Sequence, residues 1–272
     1  MNALRYQGGK KRMKYETLVC TKKDDTVTIM LNRPDVHNAM NDVLMTEVTS
    51  CFKEVSADKT VNAIILTGNG KSFCAGADLS WMRCMVSFSK EENKKDSRLL
   101  LDMYETIHSC PKPVIGRING PAFGGGIGLL AVCDITICNQ DARFAFSEVK
   151  LGIIPAVIST FVAPRMTPAD MRRLFITGER FDATTAHEVG LIDLVVPTER
   201  FEATVEACVE QVRSSGPYAI QEVKQLIKNL MEMNIKKYKE HTVEKIAELR
   251  VSAEGQEGIS AFLEKRKPHW KR

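Results

Sequence analysis

The chain is poor in the features that tie a protein to a membrane, a metal or a disulfide framework. No apolar run approaches the ~20 residues that span a bilayer. Residues Met1 to Arg12 are basic, free of acidic side chains and without the apolar core of a signal peptide. They are read as a short N-terminal extension, with Met13 a candidate functional start, and the protein as cytoplasmic. Eight cysteines (20, 51, 74, 84, 110, 133, 138 and 208) include no Cys-x-x-Cys pair, and most sit inside apolar segments. Buried, reduced thiols are therefore expected. Five histidines (37, 108, 187, 241 and 269) are equally scattered, so no metal is implied. A net charge of +4 is too small to argue for nucleic acid, though it is compatible with a small polyanionic ligand.

What is present is a chain of 272 residues, 44% apolar, long enough for one large domain or a domain with an appendage. Thr26 to Leu31 and Val61 to Leu66 read as strands, with a helical spacing of Leu44, Val48, Cys51, Phe52 and Val55 between them. Lys112 to Ile118, Gly125 to Cys133 and Asp134 to Cys138 continue as strand, buried helix, strand. The alternation predicts an α/β arrangement with largely parallel strands. Beyond about residue 165 the character turns helical: Pro168 to Thr177, Thr184 to Val189, then 199 to 266 with breaks near Ser214 to Pro217 and at Gly255. The domain reading is an extension at 1–12, a core at 13–198 and a helical C-terminal part at 199–272.

The stretch from Ile118 to Glu148 carries the most chemistry. A strand opens into Asn119-Gly120-Pro121-Ala122-Phe123-Gly124-Gly125-Gly126-Ile127-Gly128. Without Cβ atoms such a turn lets a ligand approach backbone N–H groups, and a helix starting there aims its unpaired donors at an oxygen. Glu148 follows among apolar neighbours, where desolvation raises a carboxyl toward a value useful for moving protons. The bland alternatives are a plain helix start and a partly exposed carboxylate. Two other glycine patterns compete. Gly68 to Ser72 resembles the end of a phosphate-binding loop, but Ile65 stands where that motif needs glycine. Gly126-Ile127-Gly128-Leu129-Leu130-Ala131 fits a dinucleotide fingerprint, with Glu148 near the expected ribose distance, although two strand candidates precede it. A second small-residue loop, Lys71 to Leu79, follows the strand ending at Leu66. Two such loops could supply two converging N–H donors to one carbonyl oxygen.

Together these segments resemble the enoyl-CoA hydratase/isomerase, or crotonase, superfamily over about residues 15 to 268. The resemblance rests on Leu31-Asn32-Arg33-Pro34 with Asn38-Ala39-Met40, Phe73 to Leu79, Lys112 to Ile115, Asn119 to Gly126 and Cys133-Asp134-Ile135. It continues through Phe144 to Pro155, Ala186 to Leu191 and Glu257 to Phe262. It implies a spiral of ββα turns with a C-terminal helical oligomerisation region building homotrimers or homohexamers. The implied substrate is an acyl-CoA thioester, coenzyme A being part of that substrate and no cofactor tightly bound. By the same resemblance Ala77 and Gly125 would donate the oxyanion-hole N–H groups and Glu148 would be the catalytic carboxylate. Arg33, His37, Ala75, Asp78 and Leu79 would line the CoA site, joined by Phe262 and Lys265, often from a neighbouring subunit; a solvated basic tail is the alternative for Lys265.

One departure matters. Hydratases of this superfamily carry a second glutamate where this chain has Gly128. Hydration with Glu148 alone, double-bond isomerisation, and acyl-CoA binding without chemistry all stay open, with Asp78 and Glu105 as candidate substitutes for the missing carboxylate. The wording around Ala77 to Met82 and Ser147 to Ser159 is similar to a branch of methylglutaconyl-CoA hydratase-like enzymes, which favours hydration. Val149, standing where dehalogenases place a nucleophilic aspartate, argues against dehalogenation.

Overall fold

The computed structural model describes residues 15–270; the extension read at 1–12 lies outside the described residues. The chain opens with an antiparallel hairpin of β1 (Leu18–Lys23) and β2 (Thr26–Leu31). Helix α1 (Asp42–Ala57) starts where the Asn41 side chain accepts the Leu44 N–H at 3.0 Å, and its apolar stripe, Leu44, Val48, Cys51, Phe52 and Val55, is wholly buried. It returns the chain to β3 (Ala63–Gly68). Helices α2 (Leu79–Met85) and α3 (Lys90–His108) lead to β4 (Val114–Ile118), the two-residue β5 (Ala122–Phe123) and α4 (Gly125–Ala131). There follow β6 (Ile135–Asn139), β7 (Arg143–Ala145), a 3-10 turn at Ser147–Leu151, α5 (Ala156–Val162) and α6 (Pro168–Thr177). β8 (Phe181–Asp182), α7 (Ala183–Glu188) and β9 (Leu194–Val196) complete the sheet region.

Six strands form one sheet in the order β1-β2-β3-β4-β6-β9, parallel except for the hairpin. β5, β7 and β8 form a second, short sheet. Isolated parallel bridges from Met40 to Ala77 and from Cys74 to Ala122 extend that second layer. The chain thus repeats one step: a strand in the large sheet, a short extended segment in the second layer, then a helix. β2, Met40 and α1 make one turn; β3, Cys74 to Ala77 and α2 the next; β4, β5 and α4 a third. This is the ββα spiral expected from the resemblance.

The main core lies under α1, α3 and α4. On the sheet's other face α8 (Thr198–Arg213) lays Phe201, Val205, Cys208 and Val209 on Ile115 and Ile137. α9 (Pro217–Glu232), α10 (Ile235–Val251) and α11 (Ala253–Leu263) end the chain as the expected helical region. The break expected at Gly255 is displaced to Ser252, whose side chain caps α11 by accepting the Gly255 N–H at 3.0 Å. Gly255 lies inside α11, where a Cβ would stand 2.0 Å from the Leu249 carbonyl oxygen, so the position takes glycine for space and not as a break. Val223, Ile227, Leu230, Val243 and Ile246 leave an apolar surface exposed on α9 and α10.

Candidate active site

Two loops meet at the seam between the layers. The loop after β3 is pinned by Asn38, fully buried, whose amide donates to the carbonyls of Asn69 (2.9 Å) and Ser72 (2.8 Å). Asn119 adds a donor to the Gly70 carbonyl at 3.0 Å. Further along, Met40 N–H donates to the Gly76 carbonyl (2.7 Å) and Asp78 N–H to the Met40 carbonyl (2.8 Å). In a parallel bridge these flanking bonds engage residues 76 and 78, so the N–H of Ala77 itself is turned away from Met40. Among the described residues it has no acceptor.

The glycine turn supplies the second donor. Gly125 is the first residue of α4, and its N–H is one of the orphans every helix start leaves; it too has no acceptor among the described residues. Close approach of the two loops depends on missing side chains. At Gly76, whose φ is +91°, a Cβ would stand 2.8 Å from the Phe123 carbonyl oxygen and 3.8 Å from the Gly125 nitrogen. At Gly126 it would stand 2.1 Å from the Cys74 carbonyl oxygen. The structure therefore brings Ala77 and Gly125 together as neighbouring free donors.

Glu148 is delivered by pairing. β5 and β7 run parallel, Gly124 N–H donates to the Ala145 carbonyl at 3.0 Å, and the 3-10 turn three residues later places Glu148 over Gly124. Its Oε1 lies 3.2 Å from where a Gly124 Cβ would be, a position whose φ of +48° also suits glycine. Oε2 is buried without a hydrogen-bond partner. Burial raises the carboxyl above its ordinary range, offset only partly by the residue's own backbone N–H. Two acceptor-free backbone donors, from the loop after β3 and from the start of α4, thus lie near a carboxylate brought in by the 3-10 turn.

Gly128 is fully packed: a Cβ there would lie 2.6 Å from Ile158 Cγ2 and from Tyr104 Cζ. The two candidate substitutes for its absent carboxylate do not serve. Glu105 is exposed on α3. Asp78 caps α2 through the N–H groups of Ser80 (2.7 Å) and Trp81 (3.2 Å) and pairs with Arg33 at 2.7 Å. Burial disfavours its charge, but the Arg33 guanidinium and those N–H groups outweigh burial and hold its carboxyl below the usual range. Tyr104, which sequence reasoning passed over, stands here instead; only its place on a stripe with Met103 and Ile107 marked it, and that stripe reads as core.

The residues expected around CoA divide into two groups. Arg33, His37, Ala75, Asp78 and Leu79 cluster: Ala75 N–H donates to the His37 carbonyl (3.0 Å), His37 Nδ1 meets Ser72 Oγ at 2.9 Å, and Arg33 pairs with Asp78. Leu79 is exposed beside them. Phe262, 83% exposed, and Lys265 lie at the end of α11, which packs mainly on α9 and α10. The dinucleotide reading fails on packing, since Gly126 and Gly128 face Cys74, Tyr104 and Ile158 and leave no approach for a pyrophosphate. Among the described residues no group of three His, Cys, Asp or Glu gathers as a metal site, and no helix is long and apolar enough to cross a membrane. An open cleft of about 710 Å³, lined by Thr67, Asn69, Arg117, Asn119 and Glu202 among others, lies between the sheet and α8 and includes none of the candidate site residues.

Comparison with known proteins shows the family and the fold. The family model described as Enoyl-CoA hydratase/isomerase matches residues 21–272. A crystal structure from Legionella pneumophila, assigned to the enoyl-CoA hydratase/isomerase (crotonase) group, is 40% identical with a TM-score of 0.88, covering 93% of this chain and 98% of that one. An enoyl-CoA hydratase structure from Shewanella pealeana is 38% identical with a TM-score of 0.91, over 94% and 97% of the two chains. Crotonyl-CoA hydratase of Syntrophomonas wolfei is 31% identical over 95% of this chain and 99% of its own length.

Proposed function

The chain belongs to the enoyl-CoA hydratase/isomerase family, and from that premise we propose that it adds water reversibly to a 2-enoyl-CoA thioester. The observation that carries this is the pair of acceptor-free N–H groups at Ala77 and Gly125 beside the half-buried Glu148, whose Oε2 is buried without a hydrogen-bond partner. The thioester oxygen sits between the two donors, which gain most as it becomes an enolate. Water attacks C3 and gives its proton to Glu148; Glu148 passes that proton to C2 as the enolate collapses, and the carboxylate is regenerated. One carboxylate thus closes the proton balance, and its raised affinity for the proton suits the relay. The relatives named hydratases support the same direction.

The acyl group proposed is methylglutaconyl or a similar branched one, with CoA running past Arg33, His37, Ala75, Asp78 and Leu79 and meeting Phe262 and Lys265 of a neighbouring subunit. The apolar surface left on α9 and α10 supports a homotrimer or a homohexamer. A cytoplasmic location goes with this reading. Gly128 favours a second reading, isomerisation of a 3-enoyl thioester, in which Glu148 takes a proton from C2 and returns it to C4. Product analysis on a panel of enoyl-CoA thioesters separates a 3-hydroxy product from a shifted double bond. Glu148→Gln should lose enoyl-thioester turnover by at least about a hundredfold; turnover at the wild-type rate removes the assignment, and acyl-CoA binding without turnover by the wild type leaves only a binder.

A further inference from the structure

The three glycines at 124 to 126 expose the second donor and offer no side chain of their own to restrain it. The N-cap of α4 is Gly124, with no side-chain cap, and the helix has no side chain before Ile127 to anchor its first turn. Glycine peptides have wide conformational freedom, whereas an oxyanion donor works only when it is held in place. Besides the Gly124 N–H bond to the Ala145 carbonyl, a side chain from another element holds this turn. Tyr104, fully buried on α3, donates its hydroxyl to the Gly125 carbonyl at 2.6 Å. The ring is fixed edge-on against Phe161, centroids 5.6 Å apart, so the hydroxyl does not swing. It occupies the space a side chain at 128 would need, since a Cβ there would lie 2.7 Å from the Tyr104 hydroxyl oxygen. Burial first, then the neighbouring Cys74 and Glu148, push the phenol well above its ordinary range, so it remains a proton donor and does not serve as a base.

We propose that Tyr104 is a positioning residue: its hydroxyl clamps the Gly125–Gly126 peptide, which anchors the Gly125 Cα and so restrains the preceding peptide whose N–H is aimed at the thioester oxygen, in the volume left by the absent side chain at 128. The proposal rests on the thioester reading above. It also accounts for the pairing of Gly128 with a tyrosine at 104. A carboxylate at 128 and this phenol cannot share the space, and the chain uses the space to fix an oxyanion donor in place of a second acid.

Tyr104→Phe keeps the ring and deletes only the donor. The expected result is a fall in kcat of about tenfold with KM within about twofold, because the bond acts on charge developing at the oxygen more than on ground-state binding. A spectroscopic readout separates this from loss of packing. A conjugated dienoyl-CoA bound to the wild type should show a red-shifted absorption as the hole polarises its carbonyl. The shift should shrink in Tyr104→Phe, return in Tyr104→4-aminophenylalanine, which restores a donor on the same ring, and persist in Glu148→Gln. A Tyr104→Phe protein with the wild-type kcat and the full shift overturns the inference while leaving the functional reading intact. A wild type that binds the dienoyl thioester with no shift overturns the oxyanion-hole reading, and the clamp falls with it.

Discussion

Gly126→Ala is the sharpest test of how the two loops are joined. The added Cβ would stand 2.1 Å from the Cys74 carbonyl oxygen, 3.0 Å from its carbonyl carbon and 3.1 Å from the Cys74 Cβ. An ordinary contact begins near 3.4 Å, so the loops must part by more than about 1 Å, and all three obstacles belong to the fully buried Cys74. Overpacking of this kind costs about 1–3 kcal/mol. The Cys74 carbonyl already accepts the Phe123 N–H at 3.1 Å, so relief by moving that peptide strains a bond of the seam itself. For a chain of this size such a loss lowers Tm by roughly 3–10 °C. The functional cost should be larger. Parting the loops separates the Ala77 and Gly125 donors, and a 1 Å misplacement of reacting groups costs about a hundredfold in rate. Thermal unfolding combined with steady-state turnover of an enoyl-CoA thioester measures both. Turnover and Tm at wild-type values would refute the claim that the seam is tight at Gly126 and that the donors depend on it.

Glu148→Gln should stabilise the fold while abolishing turnover. A carboxyl whose folded pKa is raised costs nothing below the ordinary carboxylate range, where both states are protonated, and destabilises increasingly as pH rises through its folded value. The stability of the variant relative to the wild type should therefore be greater near pH 8 than near pH 4; denaturant titrations at the two pH values decide it. Asp78→Ala removes the cap of α2 and leaves Arg33 unpaired, costing roughly 2–3 kcal/mol at neutral pH. Because the Asp78 carboxyl is held below the usual range, that difference should shrink as pH falls through its folded value. A thiol reagent at pH 8 should modify Cys84 rapidly and the other seven cysteines only on unfolding. Cys84 is exposed and the rest are buried, Cys74, Cys133 and Cys138 being pushed up to about 12 by desolvation; two or more fast thiols would contradict the packing described.

The large sheet was legible wherever a strand stood as a compact apolar run between turn residues. Thr26 to Leu31 and the strand after Val61 are of this kind, and the helix Pro168–Thr177 is bounded by a threonine cap and Gly178. The short second layer was not. Met40, Ala122 to Phe123 and Phe181 to Asp182 are one or two residues each, too short for any period, and they exist only because distant segments bridge them. Helix α3 escaped for another reason: its first half, Lys90 to Arg98, is charged and exposed, and its buried stripe emerges only at Met103, Tyr104 and Ile107.

The same distinction runs through the site. The two glycine-bearing loops and Glu148 stood out in the chain's own wording, as turns that bare N–H groups and a carboxylate in an apolar context, whereas the choice of Ala77 and Gly125 as donors came only with the family resemblance. Gly128 was readable only as an absence. Its meaning depends on Tyr104, 24 positions earlier, and on Ile158, which reach it across two helix packings and leave no trace in local pattern. A glycine selected for backbone freedom and one selected because a neighbour has taken its space look identical in a sequence. Gly124 is of the first kind, held at a φ of +48°. Gly128 is of the second, a helical residue with an ordinary backbone whose missing side chain is accounted for by the phenol in its place. The vacancy left by the second carboxylate is therefore filled, and a proposal for this site's chemistry has to start from one carboxylate, two backbone donors and the tyrosine that packs behind them.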